Sequence, residues 1–137
     1  MPLFGTQEWG DAFVEAVNGS KAYEEAAKTW EGDFYFVVEP GAGVKETIYM
    51  YVDLWHGKCR KVEVVPVANK DKYKPEFVLS ATIPVWRKVN EKKLDSIQAM
   101  VTRQLKMEGN MGKIMRAVKA AQELVNAVGA VKSEYPE

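Results

Sequence analysis

One cysteine and one histidine, Cys59 and His56, are all that the 137 residues of this chain offer to thiol or imidazole chemistry. A lone cysteine closes no internal disulfide and builds no thiolate metal cage, so the expected setting is a reducing compartment, the cytoplasm. No apolar run approaches the roughly 18 residues that a membrane-spanning helix needs, and no basic stretch leads into an apolar core at the amino terminus. The expectation is a chain that is neither embedded nor exported. Its last residues, Tyr135-Pro136-Glu137, also differ from the Ser-Lys-Leu of a peroxisomal address.

Excess charge of either sign is missing as well: 19 Lys and Arg balance 19 Asp and Glu. The balance is global only. Residues 1–55 hold 3 Lys/Arg against 10 Asp/Glu, residues 56–93 hold 10 against 4, and residues 94–137 hold 6 against 5. The basic middle segment carries Lys58, Arg60, Lys61, Lys70, Lys72, Lys74, Arg87, Lys88, Lys92 and Lys93, and has two readings. It can attract anionic lipid headgroups or a phosphate-bearing ligand tail, or it can be a set of solvated strand and helix ends neutralised by the acidic segment after folding. Aromatic residues are not interleaved with it, so nucleic acid is not expected as a partner.

Apolar periodicity supplies the elements. Trp9, Phe13, Ala16 and Val17 share one helical face, Gly19 and Ser20 end that helix and cap the next, and Ala22, Tyr23, Ala26, Ala27 and Trp30 follow with helical spacing. Phe34-Tyr35-Phe36-Val37-Val38 is apolar at every position, which suits the middle of a sheet. From Thr47 to Trp55 the pattern alternates, with Ile48, Met50, Val52 and Leu54 on one face and Tyr49, Tyr51, Asp53 and Trp55 on the other. His56-Gly57-Lys58 turns the chain into a strand from Arg60 to Val67, and Phe77 to Ala81 supplies a fourth. Pro84 opens a short helix marked by Trp86 and Val89, and Asp95 precedes another with Ile97, Met100 and Val101. Leu105 to Glu108 alternates as a last strand. Gly109 turns the chain, Asn110 caps, and one amphipathic helix is expected from Met111 to Val128. Its apolar stripe is Met111, Ile114, Met115, Val118, Ala121, Val125 and Val128, with Gln122 at the edge and Lys113, Arg116, Lys119 and Glu123 opposite.

That order implies an α+β domain over residues 1–137, with a core of about 6–128, in which helices cover one face of a five-stranded mixed sheet. At this length about two thirds of the unfolded surface is expected to be buried. The helix-covered face takes Ile48, Met50, Val52 and Leu54, with Val62, Val64, Leu105 and Met107 as neighbours. The other face, with Tyr49, Tyr51 and Trp55, is less polar than a solvated sheet, which leaves it open to a homodimer contact.

Chemistry-bearing motifs are few. Gly109-Asn110-Met111-Gly112-Lys113 has the look of a phosphate loop, but such a loop needs glycine where Met107 stands and a hydroxyl where Ile114 stands. His56 and Cys59 lack a third, orienting group for nucleophilic catalysis and two further ligands for a metal. Asp33, Asp53, Glu39 and Glu46 stand at strand ends and turns, where solvation explains them. No catalytic residue, metal or cofactor is expected.

The run Leu105-Lys106-Met107-Glu108-Gly109-Asn110-Met111, leading into the last helix, resembles the carboxy-terminal end of the sterol carrier protein family, whose members carry a Leu-Lys-Ile type strand, then Gly-Asn-Met or Gly-Asp-Met. The likeness extends upstream through Thr82-Ile83-Pro84, Lys93-Leu94-Asp95-Ser96 and Trp30-Glu31-Gly32-Asp33, covering about residues 6 to 128. It departs at Arg103, where many relatives turn through glycine, and at the long Pro66 to Glu76 connection. The resemblance implies a sheet with its first strand central, an apolar tunnel between sheet and helices, and non-enzymatic binding or transfer of a sterol, fatty acid or fatty acyl thioester. Candidate ligand contacts are then Phe36, Met50, Val52, Val64, Trp86, Met100, Met107, Met111, Met115, Val118 and Gln122. The methionines suit a wall that must adapt to varied apolar shapes, although a methionine stripe on a helix is also ordinary core. Alternatives are a small enzyme acting on a lipid-like substrate in the same cavity, or a scaffold whose interior is full.

Overall fold

A computed structural model describes all of residues 1–137. The first helix, α1 (Gln7–Asn18), starts where Thr6 Oγ1 accepts the Trp9 amide at 3.3 Å, and it buries Trp9, Gly10, Phe13 and Val17 along one face. Gly10 sets its height above the sheet, because a Cβ there would lie 2.7 Å from Val62 Cγ1. Ser20 caps α2 (Lys21–Ala26) in the same way, through the Tyr23 amide at 3.1 Å.

Five strands follow the order β3-β2-β1-β4-β5, with β1 Glu31–Val38, β2 Ile48–Trp55, β3 Lys58–Val65, β4 Phe77–Ala81 and β5 Lys106–Glu108. Only β1 and β4 pair in parallel, so the sheet is mixed and β1 is central. The uniformly apolar run from Phe34 to Val38 is explained by that place, since both faces of β1 are covered. Phe34, Phe36, Val38, Met50, Val52 and Leu54 lie in the main core on the helix side, while Tyr35, Val37, Tyr51 and Val65 form a small cluster on the other. A two-residue turn joins β2 to β3, with positive φ at both His56 (49°) and Gly57 (79°), as the twist of a tight hairpin demands.

Helices α3 (Ile83–Asn90) and α4 (Ser96–Val101) complete the cover, with Pro84 in the first turn of α3 and Asp95 capping α4 through the Gln98 amide at 3.0 Å. Asn110 caps α5 (Met111–Met115) through the Lys113 amide at 3.1 Å. Before it, Gly109 adopts φ +128°, and a Cβ would stand 2.5 Å from Phe77 Cδ1 and 2.9 Å from Glu76 O. Glycine is required there twice over, for conformation and for space.

Two sequence expectations are corrected. The helix from Met111 to Val128 is broken: Ala117 has φ −113° and ψ 30°, and a separate α6 runs from Val118 to Gly129. The turn tightens at the break, where the Ala117 amide donates to Ile114 O at 2.9 Å, three residues back rather than four. Within α5, Ile114 is buried while Met111 and Met115 are 36% and 43% exposed. The outer sheet face is also less open than its sequence implies. The Pro66–Glu76 connection contains a short 3-10 helix (Val67–Lys72) and brings Tyr73 into parallel stacking on Tyr51, with ring centroids 3.7 Å apart. Tyr35 donates its hydroxyl to Lys70 O at 2.8 Å, and Tyr73 donates to Glu63 Oε1 at 2.8 Å. A strap made of this chain's own residues thus covers Tyr35 and Tyr51.

Six of the ten cations in the middle segment have carboxylate partners: Lys58 with Glu24, Arg60 with Asp53, Lys61 and Lys72 with Glu63, and Arg87 and Lys93 with Glu91. Four carboxylates serve these six cations, and two of them, Glu63 and Glu91, belong to the same segment, so folding reduces the local excess of positive charge without cancelling it. No helix is long and apolar enough to cross a membrane.

Candidate functional site

Between the sheet and the helices lies one apolar cavity, lined by 22 residues of which 20 are hydrophobic. Its empty space is ≈ 860 Å³ with the mouth included. The floor is the sheet: Phe34 and Phe36 from β1, Leu54 from β2 and Leu79 from β4. One end is aromatic, with Phe4, Trp9, Phe13 and Trp86, and Trp9 packs edge-on to Phe4 at 4.7 Å. The roof is α6, whose Ala120, Ala121, Leu124, Val125 and Val128 face inward together with Ala117 at the break and Ile114 of α5. Tyr23, Trp30, Val89, Asn90, Ser96, Met100 and Leu105 close the circuit.

Four of the nitrogen donors around this space are already engaged within the protein. The indole of Trp86 donates to Val37 O at 3.0 Å, that of Trp9 to Ser133 Oγ at 2.8 Å, and that of Trp30 to Gly32 O at 3.2 Å. Asn90 Nδ2 donates to the Tyr135 hydroxyl at 3.3 Å. Burial, with a smaller contribution from nearby Cys59, pushes the Tyr23 phenol above its ordinary range, so it stays neutral. An uncharged, mostly hydrocarbon wall favours an apolar guest and rejects a charged one.

Of the candidate contacts, Phe36, Trp86 and Met100 stand in the cavity wall. The others stand elsewhere. Met50 and Val52 are fully buried in the packed core, Val64 and Met107 are half-buried against it, Val118 is half-buried outside the wall, and Met111, Met115 and Gln122 are exposed. The wall residues missed from the closing segment are mainly Ala117, Ala120 and Leu124. Their signal was the series 117, 120, 121, 124, 125 and 128, which has helical spacing and is small enough to leave space.

His56, Cys59, Asp33 and Asp53 are engaged structurally. His56 is exposed on the hairpin turn with Nε2 2.6 Å from Glu31 Oε2, whereas Cys59 is buried, its thiol pushed up to about 12 by desolvation. A thiol so placed is inert at neutral pH. Asp33 accepts from the Tyr51 hydroxyl and the Glu76 amide, each at 2.8 Å, and Asp53 pairs with Arg60 through two bonds. No group of three or more His, Cys, Asp or Glu side chains converges as a metal site would.

A mixed five-stranded sheet roofed by helices over a hydrocarbon-lined hollow defines an α+β protein of the sterol carrier fold. The chain belongs to the SCP-2 sterol transfer family, whose profile matches residues 13–122. Among solved structures, a crystal structure of sterol carrier protein 2 shares 32% identity over 94% of this chain and 99% of that one, with a TM-score of 0.85. A solution structure of a conserved hypothetical protein from Thermus thermophilus, described as possibly a sterol carrier protein, shares 30% identity over 96% and 91%, with a TM-score of 0.84. Sterol carrier protein domain 2 of Helicoverpa armigera shares the fold at 22% identity and a TM-score of 0.62, over 96% and 94%. No curated protein matches the chain.

Proposed function

We propose that this protein is a non-enzymatic carrier that binds an apolar lipid, a sterol, fatty acid or fatty acyl thioester, in the cavity beneath α6. The observation that carries the reading is the wall itself, 20 hydrophobic residues in 22 with its three indole N–H groups already paired. Sequestration needs no reacting group. A guest leaves water and fills space that water occupies poorly, gaining at most about 0.8 kcal/mol per buried methylene. About ten buried methylenes would then give on the order of 8 kcal/mol, or micromolar affinity. Phe36, Trp86 and Met100 keep their proposed role as contacts, and Ala117, Ala120, Ala121 and Leu124 join them.

Transfer would involve transient contact with anionic membranes. Lys70, Lys74, Lys88 and Lys92 support that reading, since they are the middle-segment cations without a carboxylate partner. A homodimer through the outer sheet face is not part of the proposal, because the Tyr73 strap occupies the ground around Tyr51. The test is native mass spectrometry of protein from its own source, followed by titration of delipidated protein with a fluorescent fatty acid. A co-purified lipid and saturable micromolar binding are expected. A clean protein mass together with no binding at tens of micromolar would end the carrier reading.

A further inference from the structure

A second hollow abuts the first. With ≈ 700 Å³ of empty space, its mouth included, it lies between the end of α2 and the α5–α6 break, and its wall includes Thr29, Glu31, Lys113 and Arg116. Trp30, Ala117 and Ala120 belong to both walls. One aromatic ring and two of the smallest side chains are thus the partition between a hydrocarbon-lined space and a polar one.

The charges on the polar side are not equivalent. The Lys113 ammonium is already used: it donates to Glu31 O at 2.6 Å and to the Glu76 carboxylate at 2.8 Å, and it lies 4.9 Å over the Trp30 ring. The Glu31 carboxylate is held by His56 at 2.6 Å. Arg116 alone among the charged wall residues has no ion-pair partner. The guanidinium offers a planar fork of donors that matches a carboxylate or a phosphate, and no carboxylate of the chain answers it.

We propose that this polar pocket is the head-group subsite of the carrier, taking the anionic head, carboxylate or phosphate, of a lipid whose chain lies in the apolar cavity, with Arg116 as its counter-ion. The proposal rests on the carrier reading and narrows it. An uncharged sterol fills the apolar cavity alone, whereas an anionic amphipath spans both hollows by passing between Trp30 and the two alanines. The cavity then sets how much chain is held, and Arg116 sets the preference for a charged end.

The test compares ligands that differ only at the head. Delipidated wild type, Arg116→Gln and Arg116→Glu are titrated with cis-parinaric acid and with its methyl ester at pH 8, and bound acid is competed with lysophosphatidic acid. Wild type is expected to bind the acid about tenfold more tightly than the ester, the low end for a charge-assisted contact at an exposed site. Arg116→Gln should erase most of that advantage with ester affinity unchanged, and Arg116→Glu should reverse it, with melting temperatures at the wild-type value. Displacement by lysophosphatidic acid below the fatty-acid concentration assigns a phosphate head, and weaker displacement a carboxylate. Equal binding of acid and ester by wild type, or an acid preference that survives both substitutions, overturns the head-group subsite while leaving the carrier reading standing. Failure of both ligands to bind overturns the carrier reading and this proposal with it.

Discussion

Ala121→Leu places three further carbon atoms in the roof of the cavity, on a helix position where leucine is nearly as favourable as alanine. If Ala121 faces vacant space, those carbons lose water without displacing protein atoms, a gain of up to about 2.4 kcal/mol at ~0.8 kcal/mol per carbon. Fixing the new side chain returns about 0.5–1 kcal/mol. The ligand-free variant should therefore be more stable by about 1–2 kcal/mol, which for a chain of this length raises the melting temperature by roughly 3–8 °C. Lipid should bind more weakly by a comparable amount, about 2 kcal/mol or roughly 30-fold, because the leucine occupies ground the guest needs. The assay is thermal unfolding of delipidated protein alongside displacement of a fluorescent fatty acid. A filled core gives the opposite sign, with overpacking that costs about 1–3 kcal/mol. Destabilisation, with the folded fraction still binding lipid at wild-type affinity, would refute the cavity argument.

Gly109→Ala should destabilise the fold by about 2–3 kcal/mol, since alanine at φ +128° is strained and its methyl would meet Phe77 and Glu76; a lower urea midpoint at unchanged slope checks this. Glu63 is held at about 2 by Lys72 first, then Tyr73 and Lys61, against an ordinary 4.5. A depressed carboxylate contributes stability above its unfolded value and loses it as pH falls from about 4.5 towards 2, so Glu63→Gln should flatten the acid limb of the stability curve, by about 1 kcal/mol for a group open to solvent. Cys59 should resist a thiol reagent at pH 8 until the protein unfolds, and the pair His56→Ala and Cys59→Ala should leave lipid affinity unchanged, because neither residue lines the cavity. Transfer to anionic vesicles should slow by several-fold between low and high salt while affinity for a neutral ligand stays constant, as expected when only the exposed lysines respond to screening.

The fold was legible because its signals are periodic and local. Strict alternation from Ile48 to Trp55 assigned both faces of β2, the all-apolar Phe34–Val38 pointed to the central strand, and Ser20, Asp95 and Asn110 each cap a helix through a side-chain oxygen. The Pro66–Glu76 strap was not legible in the same way. Its hold on the sheet depends on Tyr73 meeting Tyr51, 22 positions earlier, and on the backbone of Lys70 meeting the Tyr35 hydroxyl. Contacts of that kind follow from where β3 and β4 lie once the sheet has formed, and no periodicity in the strap itself encodes them.

The cavity was less legible than the fold, because the candidate contacts were drawn along one edge of the closing segment's buried line rather than along its centre. A continuous helix turns about 100° per residue, so a stripe drawn from Met111 with no interruption carries Met115, Val118 and Gln122 along the same side. The buried line runs through Ile114, Ala121, Val125 and Val128, which the stripe contained, and through Ala117, Ala120 and Leu124 beside them, which it did not, while Met111 and Met115 lie on its exposed edge. Alanines are easily passed over because hydrophobic bulk is what marks a face in a sequence. A wall that must leave space behind it is built the other way, from side chains too small to fill it. Methionine content is therefore a poor guide to the cavity wall in this chain, since Met100 alone of the six methionines stands in it, and the alanine spacing 117, 120 and 121 beneath an aromatic end is the better one.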